Sequence, residues 1–248
     1  MENGMYCIAG KQIAVQSMYP SVHRYCADYR IADDGNAPDL SVQVTQADID
    51  FERERSAREN RVEGRAPIAF PDDYLEELAV YRQIAEQMPS FDTVLMHGSV
   101  IAADGEAFLF TAKSGTGKST HTRLWREMLG ERAVMVNDDK PLLHVGAEGV
   151  TAYGTPYNGK HRLGCNMSAP LKGICILTRA AENRIVRISA KEAYPMLLQQ
   201  IYRPQNAAQM QKTLLLIDRL AAEVPFYRLG CNMDPEAAEV AYHGMKGD

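Results

Sequence analysis

The amino-acid sequence predicts an α/β fold with a mixed sheet, and three stretches carry that prediction. "MHGSVIAADGEAFLFTAKSGTGKST" (96–120) strings two apolar runs around an Asp-Gly turn, then a glycine-rich loop, then the start of a helix. "RAVMVNDDKP" (132–141) is a short apolar strand that ends in two aspartates. "NAAQMQKTLLLIDRLAAEV" (206–224) is a long amphipathic helix. Strands and helices in this succession build layered α/β cores.

The rest of the chain falls around that centre. Residues 1–90 read as a strand-rich part plus a helix, packed on a catalytic domain over 91–248. "YCIAGKQIAVQS" (6–17) gives a strand, a Gly-Lys turn and a second strand. "DLSVQVTQADIDFERERS" (39–56) alternates Val42, Val44, Ile49 and Phe51 with polar residues, again strand-like. The mixed-charge stretch 51–66 reads as a solvated loop or exposed strand edge, with an electrostatic docking surface as the sharper alternative. "PDDYLEELAVYRQIAEQM" (71–88) has helical spacing. "LLHV" and "VTAY" around "GAEG" suggest another hairpin. The C-terminal third reads as mostly helical, with a capping box at Ser189 and Glu192 and Asp234 as the N-cap of a last helix.

Composition narrows the class. A chain of 248 residues can bury one large core, or one core with a smaller appendage. Net charge is -5 without a basic stripe, which argues against nucleic-acid binding. The five cysteines are widely spaced and include no C-x-x-C pair, so neither a zinc ribbon nor a disulfide framework is indicated. The N-terminus lacks the apolar core of a secretion signal, and no run nears the ~18 apolar residues of a membrane span. The expectation is a cytoplasmic protein with no nucleic-acid or membrane partner; a homo-oligomer is compatible with it.

The loop follows G-x-x-x-x-G-K-[ST] except that Ala112 stands in the first glycine position. Ser114, Gly115, Thr116, Gly117, Lys118, Ser119 and Thr120 would cradle phosphates, because small residues let backbone amides curl round the oxygens. Lys118 would meet the β- and γ-phosphates and the Ser119 hydroxyl would bind Mg²⁺. Gly-rich turns without a ligand are the bland alternative.

The hairpin gives a second pointer. With Asp104 and Gly105 in the turn, Ala103 pairs with Glu106, and the same register extended sets His97 opposite Ala112. The His97 side chain is then expected where Ala112 points, beside the phosphates, as a metal or phosphate neighbour or proton carrier. Asp138 and Asp139 follow the next strand, where one acid can hold Mg²⁺ and the other face a nucleophile. "YGTPYNGKHRLGCN" (153–166) offers Lys160, His161 and Arg162 as cations for an anionic substrate or a moving phosphoryl group, or is an ordinary exposed basic loop. His121 is equally suited to capping or packing, and His23, His144 and His243 read as structural.

Together "MHGSVIAADGEAFLFTAKSGTGKST" and "VNDDKP" resemble the catalytic domain of HPr kinase/phosphorylase and its relatives in the phosphoenolpyruvate carboxykinase-like group of P-loop NTPases. The resemblance covers about residues 91–180 well, and is most like the small HPr-kinase-related proteins, some encoded beside peptide-modification genes. It implies a P-loop core with a mixed sheet, a β-rich N-terminal part and a helical C-terminus. It matches His97 to the family's hairpin histidine, Lys118 and Ser119 to the loop pair, Asp138 to the general base and Asp139 to the metal-side aspartate. Thr120 stands where HPr kinase carries Glu, and "GTPYNGKH" stands roughly where its arginine-asparagine signature would be. The match therefore does not extend to phosphorylase activity or to HPr as substrate.

The expectation is an ATP- and Mg²⁺-dependent kinase, GTP being the other candidate nucleotide, that phosphorylates a hydroxyl on a peptide, protein or small molecule. The alternatives are a nucleotide-binding regulatory or scaffold protein without transfer, and carboxykinase-type chemistry on a small acid.

Overall fold

The computed structural model describes every residue except Glu63, Arg65, Pro67, Lys160 and Asp248. The chain divides into two compact units, Met1–Gln87 and Met88–Asp248. Among the described residues no helix is long and apolar enough to cross a membrane.

In the first unit, β1 (Glu2–Ile8) and β2 (Lys11–Ser17) form a hairpin. Its turn residues are Ala9 and Gly10, at φ 51° and 72°, one residue before the expected Gly-Lys turn. After α1 (Ser21–Tyr25) come β3 (Arg30–Ile31) and β4 (Leu40–Gln43), and the four strands run in the order β3-β1-β2-β4. Tyr6, Ile8, Ile13 and Val15 of the sheet, and Leu75 and Ile84 of the unit's last helix, are buried.

Residues 46–62, expected as strand and then exposed loop or edge, are instead the helix α2 (Gln46–Val62). Short-range polar bonds account for the difference. The Thr45 amide and hydroxyl both donate to Asp48, at 3.0 and 2.8 Å, which closes the helix start in the manner of a capping box. Arg55 pairs with Glu59 one turn on, at 3.0 Å. Buried Ile49 and Glu52 are three apart, a helical rather than a strand spacing, and Glu52 takes Arg82 of α3 (Asp72–Gln87) at 2.6 Å.

The second unit is a mixed sheet, nine strands among the described residues, with helices on both faces. Its elements in order are β5 (Thr93–Leu95), β6 (Ser99–Ala103), β7 (Glu106–Thr111), α4 (Lys118–Leu129), β8 (Ala133–Asn137), β9 (Leu142–Gly146), β10 (Gly149–Tyr153), β11 (Ser168–Arg179), β12 (Arg184–Ile188), α5 (Ala190–Gln200), α6 (Ala207–Glu223), β13 (Phe226–Cys231) and α7 (Glu236–Lys246). The main path runs β5-β9-β10-β11-β7-β6-β8, and β13 joins β11 to β12. One face packs on α5 and α6 through Leu197, Leu216, Ile217 and Leu220. The other packs on α4 and α7 through Leu124, Trp125, Ala238 and Ala241.

The C-terminal third is less helical than expected, because β11, β12 and β13 lie among its helices. β11 pairs in parallel with β7 and with β13, and its stretch "LKGICIL" lacks the alternation that betrays a half-exposed strand. The capping box at Ser189 and Glu192 forms. Asp234 does not cap α7: its carboxylate takes the Asn232 amide at 2.8 Å, and Pro235 holds the cap position.

Candidate functional site

The β6–β7 hairpin forms around Asp104 and Gly105, at φ 53° and 83°, in the expected register from Ala103↔Glu106 to Ser99↔Phe110. There the ladder stops. The backbone amides of His97 and Gly98 turn away to the carbonyls of Gln200 and Asp139, at 2.8 and 3.0 Å. The extrapolated pairing of His97 with Ala112 does not form. Ala112 is buried with Phe110, Leu124 and Trp125, while the His97 side chain is one-third exposed on another side. The two stretches stay joined through Thr111, whose hydroxyl donates to the His97 carbonyl at 3.0 Å.

Beyond Ala112 the chain makes an open turn. The Thr116 amide and hydroxyl bond the Lys113 carbonyl, at 3.2 and 2.7 Å. Gly115 and Gly117 take φ of 74° and 120°, values that glycine alone accepts without strain, with open space where a side chain would project. Helix α4 begins at Lys118, and its first internal bond runs from the His121 amide to the Gly117 carbonyl at 2.9 Å. The amides of Lys118, Ser119 and Thr120 precede that bond and face the N-terminal end of the helix, which favours anions. The Ser119 side chain is exposed there.

Four charged or ionisable side chains converge behind the loop. The Lys118 ammonium lies 3.2 Å from His97 Nε2, and Asp139 Oδ1 lies 3.3 Å from the same nitrogen. Lys140 reaches the other Asp139 oxygen at 2.8 Å. His97 Nδ1 bonds Gln200 Oε1 at 2.8 Å, which turns the Nε2 edge of the ring toward Lys118 and Asp139. Burial on its own would raise the Asp139 carboxyl, but the His97 hydrogen bond and the Lys140 charge outweigh it and hold it at about 2. Burial depresses Lys118, with Asp139 opposing and Lys140 adding to the depression.

Asp138 and Asp139 do diverge. One Asp138 carboxylate oxygen accepts the Gly159 amide, and its backbone carbonyl accepts the Ser99 hydroxyl at 3.1 Å. Buried Asn137 sets this geometry. Its Oδ1 accepts the amides of Asp139 and Lys140 at 2.8 and 2.6 Å, and its Nδ2 donates to Thr155 Oγ1 at 3.0 Å. The segment after β10 is pressed against β8: a Cβ on Gly154 would stand 2.0 Å from the Cys165 carbonyl oxygen and 2.7 Å from that of Val136. Arg162 lies exposed in this segment at φ 46°, with its amide on the Gly159 carbonyl at 3.1 Å. His161 is exposed beside it. Lys160 lies outside the described residues.

Sequence reading missed four side chains of this region. Asn137 had a local signal, an Asx residue directly before the two acids. Lys140 directly follows the two acids in sequence. Gln200 and Arg179, whose guanidinium donates to the Gly115 carbonyl at 2.6 Å, reach the site from other elements and left no local signal. His121 packs rather than caps. It is buried edge-on to Phe110, accepts the Trp125 indole N–H at 3.1 Å, and is pushed down to about 4 by burial. Among the described residues no three His, Cys, Asp or Glu side chains gather into a metal cage.

The family model described as "ScmC: SynChlorMet cassette protein ScmC" matches residues 75–240, and the chain belongs to that family. Among solved structures, the Hpr(Ser) kinase/phosphatase from Coxiella burnetii is similar at 12% identity and a TM-score of 0.35, over 62% of this chain and 97% of that one. No curated protein matches the chain.

Proposed function

We propose that this chain is a phosphotransferase that moves the terminal phosphoryl group of ATP, with Mg²⁺, to a hydroxyl of a peptide, protein or small molecule. The observation that carries this is the convergence of Lys118 and Asp139 on His97 Nε2, at 3.2 and 3.3 Å, at the start of α4, behind a loop whose two glycines hold positive φ. The residues present fit the nucleotide. The open backbone at Gly115 and Gly117 leaves room for phosphate oxygens, and the first amides of α4 point to the same place. They also fit Mg²⁺, which is held by one or two protein oxygens plus phosphates and water rather than by a closed cage. Ser119 and Asp139 would supply those oxygens. When bound, the ion would offset negative charge on the phosphates of the nucleotide.

The chain's own residues do the rest. Lys118 meets the phosphates as a partly desolvated point charge, which strengthens its pull on them. His97, pinned by Gln200, keeps its Nε2 edge toward Lys118 and Asp139. Asp138, anchored by the Gly159 amide, takes the proton of the acceptor hydroxyl. Arg162, and Lys160 beside it in sequence, supply cations for the acceptor or for the charge on the moving group. Transfer from γ-labelled ATP to panels of peptides and small alcohols tests the proposal. Labelled product from the wild type but not from Asp138→Asn supports it, and ATP affinity equal in wild type and Lys118→Ala by calorimetry overturns it.

A further inference from the structure

The phosphate end of this site is crowded with polar side chains, which leaves the question of where the rest of a nucleotide lies. The strand order answers that. β6 runs antiparallel to β7, and β8 antiparallel to β6, with Val100 opposite Asn137. His97 before β6, and Asp138 and Asp139 after β8, therefore lie at the end of the sheet where β7 feeds the loop, all on one flank of it. β11 flanks β7 on its other side and runs parallel to it, so β11 finishes at that same end.

We propose that Arg179, the last residue of β11, contacts the nucleoside of the bound nucleotide; this rests on the nucleotide-binding reading above. Ile176 pairs with Thr111, the last residue of β7, so β11 overshoots that level by three residues, about 10 Å of strand. The overshoot brings the Arg179 guanidinium to the Gly115 carbonyl at 2.6 Å, on the rim of the loop. A nucleotide with its terminal phosphate at Lys118, His97 and Asp139 has the β6–β8 flank occupied by the transfer chemistry. Its base and ribose lie toward β11 and β13.

The chemistry of that flank suits a base. The Gly115 carbonyl takes one of five guanidinium N–H groups, and the planar face of exposed Arg179 stays available to stack on an aromatic ring. Arg179 pairs with Cys231, the Ala180 amide bonds the Cys231 carbonyl at 3.0 Å, and Asn232 Nδ2 bonds the Ala181 carbonyl at 3.0 Å. This holds the two segments side by side. Met233 follows in sequence, 77% exposed, an adaptable apolar side chain.

The test is titration calorimetry on the full chain with two probes, ATP and inorganic tripolyphosphate, each with Mg²⁺. Arg179→Ala is expected to weaken ATP about tenfold or more and to leave tripolyphosphate within about twofold. Arg179→Lys, which keeps the charge and loses the plane, should recover little of the ATP affinity. Equal weakening of both probes would mean that Arg179 only braces the loop through Gly115, and no weakening of either would remove it from the site; each overturns the proposal. Full recovery by Arg179→Lys would also overturn the stacking contact. Lys118→Ala separates the two levels. If it abolishes binding of both probes while Arg179→Ala does nothing, the phosphate cradle stands and the nucleoside contact falls. If it leaves ATP binding untouched, both fall.

Discussion

Two histidines in this chain sit at the centre of polar clusters, and their surroundings separate a structural knot from a candidate site. His23, in the first unit, is 6% exposed. The Ser17 hydroxyl donates to the Tyr19 carbonyl at 2.9 Å, so His23 Nε2 carries the proton toward Ser17 at 2.8 Å, and Nδ1 accepts from the buried Tyr6 hydroxyl. Both ring nitrogens are spent on buried hydroxyls, with no opening for a reactant. His97, in the second unit, is one-third exposed and faces an ammonium and a carboxylate beneath an open loop. A fully satisfied buried network specifies a core. A partly exposed one that gathers opposite charges behind backbone donors is equipped for an anionic ligand. Histidine content alone does not distinguish them.

Substitutions at Asp138 and Lys118, beside and within the second cluster, should abolish chemistry and spare the fold. The largest effect is expected from Asp138→Asn, with transfer lowered about 10²–10⁴-fold and ATP affinity unchanged, as measured by single-turnover rates beside calorimetry. Turnover at the wild-type rate would remove Asp138 from the role of base. Next comes Lys118→Ala, for which ATP affinity should fall about 10–100-fold, the worth of a charge-assisted hydrogen bond. Its melting temperature should hold, since Lys118 supports no core packing.

The local parts of this site were legible in the sequence. Gly115, Gly117 and Lys118 are set by their neighbours, and the two aspartates by the strand before them. The hairpin register was legible too, as far as Ser99 and Phe110. It failed at His97 because the partner that redirects the backbone, Gln200, is 103 residues away. Arg179 escaped notice for the same reason, 64 residues from Gly115. The helix α2 was lost differently. Val42 and Val44 do belong to a strand and its exit, and Ile49 and Phe51 continued the apparent alternation by chance, while Thr45 and Asp48 carried the helix start. Period-2 spacing across a capping pair describes two elements, not one strand.

Breaking the first cluster should do the reverse, costing stability and sparing nucleotide binding. Tyr6→Phe deprives the buried His23 of its donor and should cost about 1–3 kcal/mol. Gly4→Ala tests the same knot from outside. Its Cβ would stand 2.4 Å from the Tyr6 hydroxyl and 2.8 Å from His23 Nδ1, and overpacking of this kind costs about 1–3 kcal/mol. Urea midpoints measure both. A variant that keeps its midpoint and loses ATP affinity would erase the contrast between the histidines.

The smallest effects concern one acid from each unit, and they have opposite signs. Asp139, held at about 2 against an ordinary 3.8, binds protons more readily when unfolded. It adds stability above about pH 4, and that contribution drains away as pH falls toward its folded value. Glu76 is fully buried and accepts the amides of Met18 and Tyr19, at 2.5 and 2.8 Å. Burial raises its carboxyl by more than those amides lower it. Its contribution is therefore complete below the ordinary glutamate range and is lost as pH rises through its folded value. Wild type should gain on Asp139→Asn as pH rises from about 2 to 5, and lose ground to Glu76→Gln as pH rises from about 4 upward. Midpoints that moved the same way in both variants would show that these two acids share one environment, and that the contrast between the clusters does not extend to their carboxylates.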